Sequence, residues 1–227
     1  MNRQLRAVLR YAWIVFGLFF MANGIVFVVR AQIGVAPWDV LHLGISYQTG
    51  ISLGRVLQGV GLLVVLVSWV FHVAPRFVTI LNMILIGYFV DMINSMSYIP
   101  IPEATWLKFV CYLTGVAVCG FGTALYISGN RGAGPRDSLM LAMTKATSLR
   151  ISIVRTAIEV VVTIAGYLLG GPLGVGTVLF ALLIGPFIEL GFATINLFKY
   201  STLFTSFRFH AGEGLTVKTF NTGDSSN

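Results

Sequence analysis

Long apolar segments alternate with short polar interruptions along this chain. Six of the segments hold about 20 mostly apolar residues each, the length that an α-helix needs to cross a bilayer. They are 11–29, 53–72, 77–98, 106–128, 151–170 and 177–198. Two further helical segments, 37–47 and 135–145, are too short to span. The pattern predicts an all-α polytopic membrane protein with six transmembrane helices and two short re-entrant or interfacial helices.

The same motif precedes and begins both short segments. A glycine, a proline and an aspartate recur at the same spacing, with the second copy 98 positions after the first. The residues are Gly34, Pro37 and Asp39 in the first copy and Gly132, Pro135 and Asp137 in the second. Proline is favoured at the first position of a helix, and an early aspartate complements the helix dipole. Each motif therefore predicts a loop that starts a helix.

The repeat extends well beyond this motif. At the same offset Gly17 matches Gly115, Gly24 matches Gly122, and the run 85–91 matches 183–189. Each copy contains three spanning helices, and because three is odd the second copy must enter the membrane from the opposite side. We predict two inverted repeats, as in many secondary transporters. If the short helices crossed the membrane, the repeats would be parallel instead.

The basic residues indicate the orientation of this arrangement. With the N-terminus inside, 12 of the 15 lysine and arginine residues fall on cytoplasmic positions, which fits the positive-inside rule. We expect a cytoplasmic N-terminus (1–10), a first membrane repeat (11–98), a second (106–198) and a disordered cytoplasmic tail (199–227).

The composition supports a membrane protein and narrows its partners. Hydrophobic residues make up 56% of the chain and charged residues only 10%, and the mean hydropathy is +0.86. A soluble domain would carry about a quarter charged residues. The net charge of +7 is assigned to cytoplasmic loops, because no basic patch interleaved with aromatic residues indicates nucleic-acid binding. The expected partner is the lipid bilayer, and a homo-oligomer is left open.

The paired loops are the first candidate binding site. A helix N-terminus offers free backbone N–H groups and a partial positive charge, and discontinuous helices often face the substrate in transporters. Asp39 and Asp137 should favour a cationic or polar neutral solute, or a proton, over a free anion. The alternative is that proline and aspartate simply start each helix.

Asp91 and Glu189 form a second matched pair of candidates. Glu189 lies about the middle of its apolar segment, where a carboxylate is costly unless it is partnered or protonated. Asp91 holds the equivalent place in the first repeat. The alternative is that each carboxylate caps a neighbouring helix or pairs with an arginine.

The remaining polar residues indicate structure more than chemistry. Glu159 follows Arg155 at the i,i+4 spacing of an ordinary helical ion pair. His42 shares a helical face with Asp39, which leaves either packing or proton handling open. The sequence contains no recognisable catalytic triad, zinc set or nucleotide-binding loop, so we expect neither an enzyme nor a cofactor.

At these loops and at the run ending in Glu189 the chain resembles the bacterial YczE/YyaS/YitT-type integral membrane proteins. The resemblance covers roughly residues 11–198 and implies a location in the bacterial cytoplasmic membrane, with no catalytic residues to carry over. The leading hypothesis is a small secondary transporter for an unknown small polar or cationic solute, with proton coupling left open. The alternative is a membrane accessory or assembly factor that does not transport.

Overall fold

The described part of the chain, residues 3–129 and 134–200 of a computed structural model, is all helical and contains no strand. The two predicted repeats each correspond to four helices. In chain order these are α1 (Arg3–Ala31), α2 (Pro37–Thr49), α3 (Leu53–Val70), α4 (Phe77–Met96), α5 (Thr105–Ser128), α6 (Pro135–Thr147), α7 (Ile151–Leu168) and α8 (Val175–Tyr200).

Six of these helices are long and apolar enough to cross a membrane. They are α1, α3, α4, α5, α7 and α8. Their bounds agree with the predicted segments to within a few residues, except that α1 begins at Arg3, eight residues before the predicted start. The two short helices, α2 and α6, have 13 residues each. At about 1.5 Å per residue each is roughly 20 Å long, which is too short to span. The prediction of six spans and two short helices is confirmed for the described residues. The predicted disordered tail falls almost entirely outside them.

Local sequence explains where the short helices begin and end. Proline stands at the first position of both, where its missing N–H costs no hydrogen bond. The first short helix, α2, ends at Gly50, whose φ of 69° is left-handed and therefore suits glycine. Its N–H donates to the carbonyl of Ser46 at 2.9 Å and closes the last turn.

The packing centre is the contact between α1 and α5. Gly17 lies against Gly122 and Gly24 lies against Gly115, so the two helices run antiparallel. A Cβ atom on Gly24 would lie 2.5 Å from the backbone nitrogen of Cys119, so only glycine allows this approach. Around this pair α4 packs on α1, α8 packs on α5, α7 packs on α2, and α3 packs on α6. The starts of α2 and α6 are thereby placed beside the central helix pair.

Candidate functional site

The loop that leads into α2 is held by the start of α8. The N–H of Gly176 donates to the carbonyl of Ile33 at 2.8 Å, and Gly34 adopts a φ of 115° against Gly174. A Cβ atom on Gly34 would lie 3.0 Å from the Cα of Gly174. Gly34, a predicted substrate residue, therefore shapes a tight turn against α8. It does not line the cavity described below.

Asp39 is the most buried of the predicted acidic site residues, with 2% of its surface exposed. Its Oδ1 lies 3.1 Å from Nδ1 of His42 and accepts a hydrogen bond from Arg136 at 3.3 Å. Burial opposes ionisation of this carboxyl, but the bond to His42 and the charge of Arg136 outweigh it and lower the pKa of Asp39. The pKa of His42 is also lowered, chiefly by burial. Both pKa shifts favour an ionised aspartate beside a neutral histidine.

Arg136 joins the starts of the two short helices. Its guanidinium carbon lies 5.2 Å from the centre of the Trp38 ring, a cation–π contact, while the same group bonds Asp39. Trp38 and Arg136 hold equivalent places, the second position of α2 and of α6. Arg136 is one of the 12 basic residues assigned to cytoplasmic positions, and that assignment stays a prediction. Its side chain contacts both the ring and the carboxylate.

Asp137, the counterpart of Asp39, has a different environment. It is exposed, and its Oδ2 accepts a hydrogen bond from the N–H of Gly134 at 3.3 Å, so that it caps the start of its own helix. Pro135 at the head of α6 is buried. Gly132, the remaining predicted residue of this loop, lies outside the described residues. The aspartates of the two motif copies therefore differ in environment: Asp39 is buried and Asp137 is exposed.

A cavity of about 340 Å³ lies between the starts of α2 and α6. It is lined by Pro37, Asp39, Pro135 and Asp137 among the predicted site residues. Of its 30 lining residues, 26 form 13 pairs whose members stand 98 positions apart in the sequence. Such pairing places the cavity where the two halves of the chain meet.

The two halves give this cavity different chemistry. The first half supplies Leu57 and Gly61, and the second supplies the equivalent Arg155 and Glu159. Nε of Arg155 donates to Oε1 of Glu159 at 3.2 Å, so the predicted i,i+4 pair is confirmed. A search for matched charged residues does not find this pair, because its counterparts in the first half, Leu57 and Gly61, are uncharged.

Asn82 is a cavity residue that the sequence analysis missed. It is 6% exposed, lines the cavity, and makes no hydrogen bond to any part of the chain that the structure describes. Its amide nitrogen lies on the side of the cavity where α6 begins, beside Gly134. Because the amide lines the cavity, it can donate to and accept from a group bound there. Its counterpart is Phe180, which hid it from any search for matched polar pairs.

The second predicted acidic pair lies outside this cavity. Asp91 accepts hydrogen bonds from Oγ of Ser52 at 2.6 Å and from the N–H of Gly54 at 2.7 Å, so it caps the start of α3. Glu189 is exposed on α8. Neither lines the cavity, so a direct role of these two residues in substrate binding has no support from their positions.

The sequence of this chain matches one family model. That model is described as the family of unknown function DUF6198 and matches residues 8–192. The chain belongs to the DUF6198 family. Its match covers all six candidate spans almost completely and both short helices, so the cavity lies within the matched region.

Three bacterial proteins are similar to this DUF6198 chain over most of their length. The uncharacterized membrane protein YczE of Bacillus subtilis (strain 168) is 32% identical over 197 residues, 86% of this chain and 91% of its own. An uncharacterized protein of Haemophilus influenzae (strain ATCC 51907 / DSM 11121 / KW20 / Rd) is 32% identical over 204 residues, 83% of this chain and 93% of its own.

The third is the uncharacterized protein YyaS of Bacillus subtilis (strain 168), 24% identical over 201 residues, 83% of this chain and 98% of its own. No solved structure matches the chain significantly. The predicted resemblance to YczE and YyaS is confirmed, whereas the relation to YitT stays a prediction.

Proposed function

We propose that this protein is a small secondary transporter whose substrate binds in the cavity between the starts of α2 and α6. One observation carries the proposal: 26 of the 30 lining residues come in pairs from equivalent positions of the two halves. Secondary transporters with repeated halves bind substrate at the repeat interface, often beside discontinuous helices. The proposal includes no catalytic step.

The packing supports an inverted relation between the halves. Gly17 lies against Gly122, and the equivalent contact joins Gly115 to Gly24, so the two halves exchange partners. Because α1 and α5 are equivalent and antiparallel, their repeats would enter the membrane from opposite sides. In the same arrangement α2 and α6 are re-entrant helices whose N-termini meet at midplane, as the contact between Trp38 and Arg136 supports.

The charges of the cavity favour a cationic or zwitterionic polar solute. Asp39 is already paired with Arg136 and His42, and Glu159 is paired with Arg155. Asp137 also lines the cavity, and its carboxylate accepts a hydrogen bond from the N–H of Gly134 but forms no ion pair with the described residues, so it can meet a positively charged group of the solute. Asn82 lines the same cavity, where its amide group can donate to a solute and its carbonyl can accept. The apolar remainder of the lining would hold an apolar portion of the same molecule.

A stabilisation screen followed by transport tests this proposal. Purified protein in detergent is heated with four sets of small solutes: neutral polar, zwitterionic, cationic and anionic. A solute that binds only the folded state raises Tm. We expect hits in the cationic or zwitterionic set, and uptake of those solutes into proteoliposomes. The isosteric variant T194V, which changes a half-buried polar residue of α8 outside the cavity, serves as the control.

The re-entrant topology has a test of its own. Thr49 and Thr147 are the exposed, equivalent last residues of α2 and α6. With Cys111 and Cys119 replaced, T49C should react with an impermeant maleimide only from outside the cell, and T147C only from inside. This orientation follows from termini placed in the cytoplasm. Labelling of both residues from one side of the membrane would contradict the inverted arrangement. The paired lining of the cavity would then need an explanation other than inverted repeats.

The same purified protein and its variants distinguish the accessory-factor hypothesis from transport. A protein that only assembles with a partner should show no solute-dependent rise in Tm, should tolerate N82L, and should co-purify with that partner in fixed proportion.

A further inference from the structure

The contact between α3 and α4 has a precise construction. Gly54 and Gly87 lie backbone to backbone, so that a Cβ atom on either would meet the carbonyl oxygen of the other. One helical turn further along α4, Asp91 accepts the Oγ hydrogen of Ser52 at 2.6 Å and the N–H of Gly54 at 2.7 Å. Close packing and a carboxylate cap together hold the start of α3 against α4.

The equivalent groups on α7 and α8 are present but separated. Within the described residues α7 and α8 make no packing contact comparable to that of α3 and α4. Gly185, the counterpart of Gly87, has nothing within 4 Å of the position of a Cβ atom. Glu189, the counterpart of Asp91, is exposed, as are Arg150 and Ser152 at the start of α7.

We propose that α7 and α8 form a second gate, in which the start of α7 closes onto Gly185 and Glu189 while α3 and α4 separate. This inference rests on the proposed transport function and identifies the two acidic residues outside the cavity as the gate latches. The present structure has the α3–α4 gate closed and the α7–α8 gate open. Substrate would enter or leave the cavity between α7 and α8 in this state.

The chemistry of the open gate fits this closure. Glu189 would cap the free N–H groups at the start of α7 and meet the guanidinium of Arg150, which stands where Ser52 stands in the closed gate. Ser152 replaces Gly54 and would hold the two helices slightly further apart. A glutamate carries one more methylene than an aspartate, so its carboxylate reaches across the wider gap. Serine in place of glycine and glutamate in place of aspartate both fit a wider spacing between α7 and α8 than between α3 and α4.

The cavity lining connects the gate to the site. Leu57 and Ile86 reach it from α3 and α4, and their counterparts Arg155 and Ile184 reach it from α7 and α8. Both gates therefore act on walls of one cavity. Two such gates that close in turn would expose the site to one side of the membrane at a time.

Paired cysteines test the gate in the full-length protein in membranes, with Cys111 and Cys119 replaced by alanine. The pair S52C/D91C reports closure of α3 on α4, and the equivalent pair R150C/E189C reports closure of α7 on α8. Under mild oxidation we expect the first pair to cross-link readily and the second pair more slowly but to completion. The single-cysteine variants R150C and E189C are each tested for reaction with maleimide. If both react and the double variant R150C/E189C still never cross-links, even with a flexible bifunctional reagent, the proposal is overturned.

A substitution at Gly185, added to the cysteine pair, tests whether α7 closes on this part of α8. Leucine at Gly185 fits the open gate, where nothing lies nearby, but obstructs the closed one. G185L should lower the yield of the R150C/E189C cross-link several-fold. The control G59L, at another position with nothing within 4 Å, should leave it unchanged. Equal yields in G185L and G59L would refute closure at Gly185.

The transport function can fail separately. If R150C/E189C cross-links but no solute enters proteoliposomes, the motion stands and the transport proposal falls. If uptake occurs and the pair never cross-links, the transport proposal stands and the gate falls.

Discussion

The guanidinium of Arg136 lies over the ring of Trp38, 5.2 Å from its centre, although 98 positions separate the two residues. They occupy equivalent positions in the two halves of the chain. These equivalent positions therefore contact each other where the two halves meet. A contact of this kind is expected only close to an axis relating the halves. Because Arg136 also bonds Asp39, the ion pair ties the start of α6 to the start of α2.

Removal of this guanidinium should destabilise the junction. In R136A the buried carboxylate of Asp39 loses a charged hydrogen bond, and we expect the free energy of unfolding to fall by about 1.5–3 kcal/mol. R136K should recover part of this loss, because lysine keeps the charge but not the planar contact with Trp38. Chemical unfolding in detergent micelles measures the change. R55A, at an exposed arginine of α3, is the control, and an equal loss there would contradict a specific role for Arg136.

The stability of the protein should fall as the pH falls through the range where histidine titrates. His42 has an ordinary pKa of 6.5 when unfolded and a lowered pKa when folded, so the unfolded chain binds the extra proton first. The stability that depends on neutral His42 is therefore complete well above pH 6.5 and declines below it. We expect H42Q to flatten the decline in Tm between about pH 7.5 and about pH 5.5. An unchanged slope in H42Q would assign the decline to other groups.

Replacement of Asn82 should separate folding from binding. In N82L an apolar side chain of similar size replaces an amide that lines the cavity, so the empty protein should keep its Tm. The same variant should lose the rise in Tm produced by any solute found in the stabilisation screen. Loss of stability in N82L without solute would indicate that the amide serves the fold, and T194V again provides the control.

The close approach of α1 to α5 should tolerate no side chain at Gly24. In G24A the added methyl meets backbone atoms of α5, including the carbonyl of Gly115 at 2.6 Å, and over-packing of this kind typically costs about 1–3 kcal/mol. In G59A the methyl enters open space, and stability should rise by up to about 1 kcal/mol because alanine favours helix more than glycine does. Thermal unfolding of both variants gives the comparison, and a neutral G24A would contradict the packing.

Much of the architecture was determined by the sequence alone. Span length follows from bilayer thickness, so the six segments and the two short helices were predictable to within a few residues. The repeat at an offset of 98 positions was also predictable from the sequence. A chain that is merely apolar would match itself at leucine and isoleucine, and would not repeat glycine, proline and aspartate at a fixed spacing. Four residues of the repeated motif, Pro37, Asp39, Pro135 and Asp137, line one cavity, and their role in substrate binding stays a prediction.

Only the tertiary structure decided which residues face one another across the two halves. Asp39 forms a buried ion pair because Arg136 reaches it from the other half of the chain. Asp137 belongs to the same motif, but the residue equivalent to Arg136 in the first half is Trp38, which offers no guanidinium, and Asp137 caps its own helix. Asp91 and Glu189 both lie outside the cavity. Asp91 caps the start of α3, whereas its counterpart Glu189 is exposed. A sequence repeat specifies equivalent local structure. Partners depend on distances between helices, and these differ between the halves.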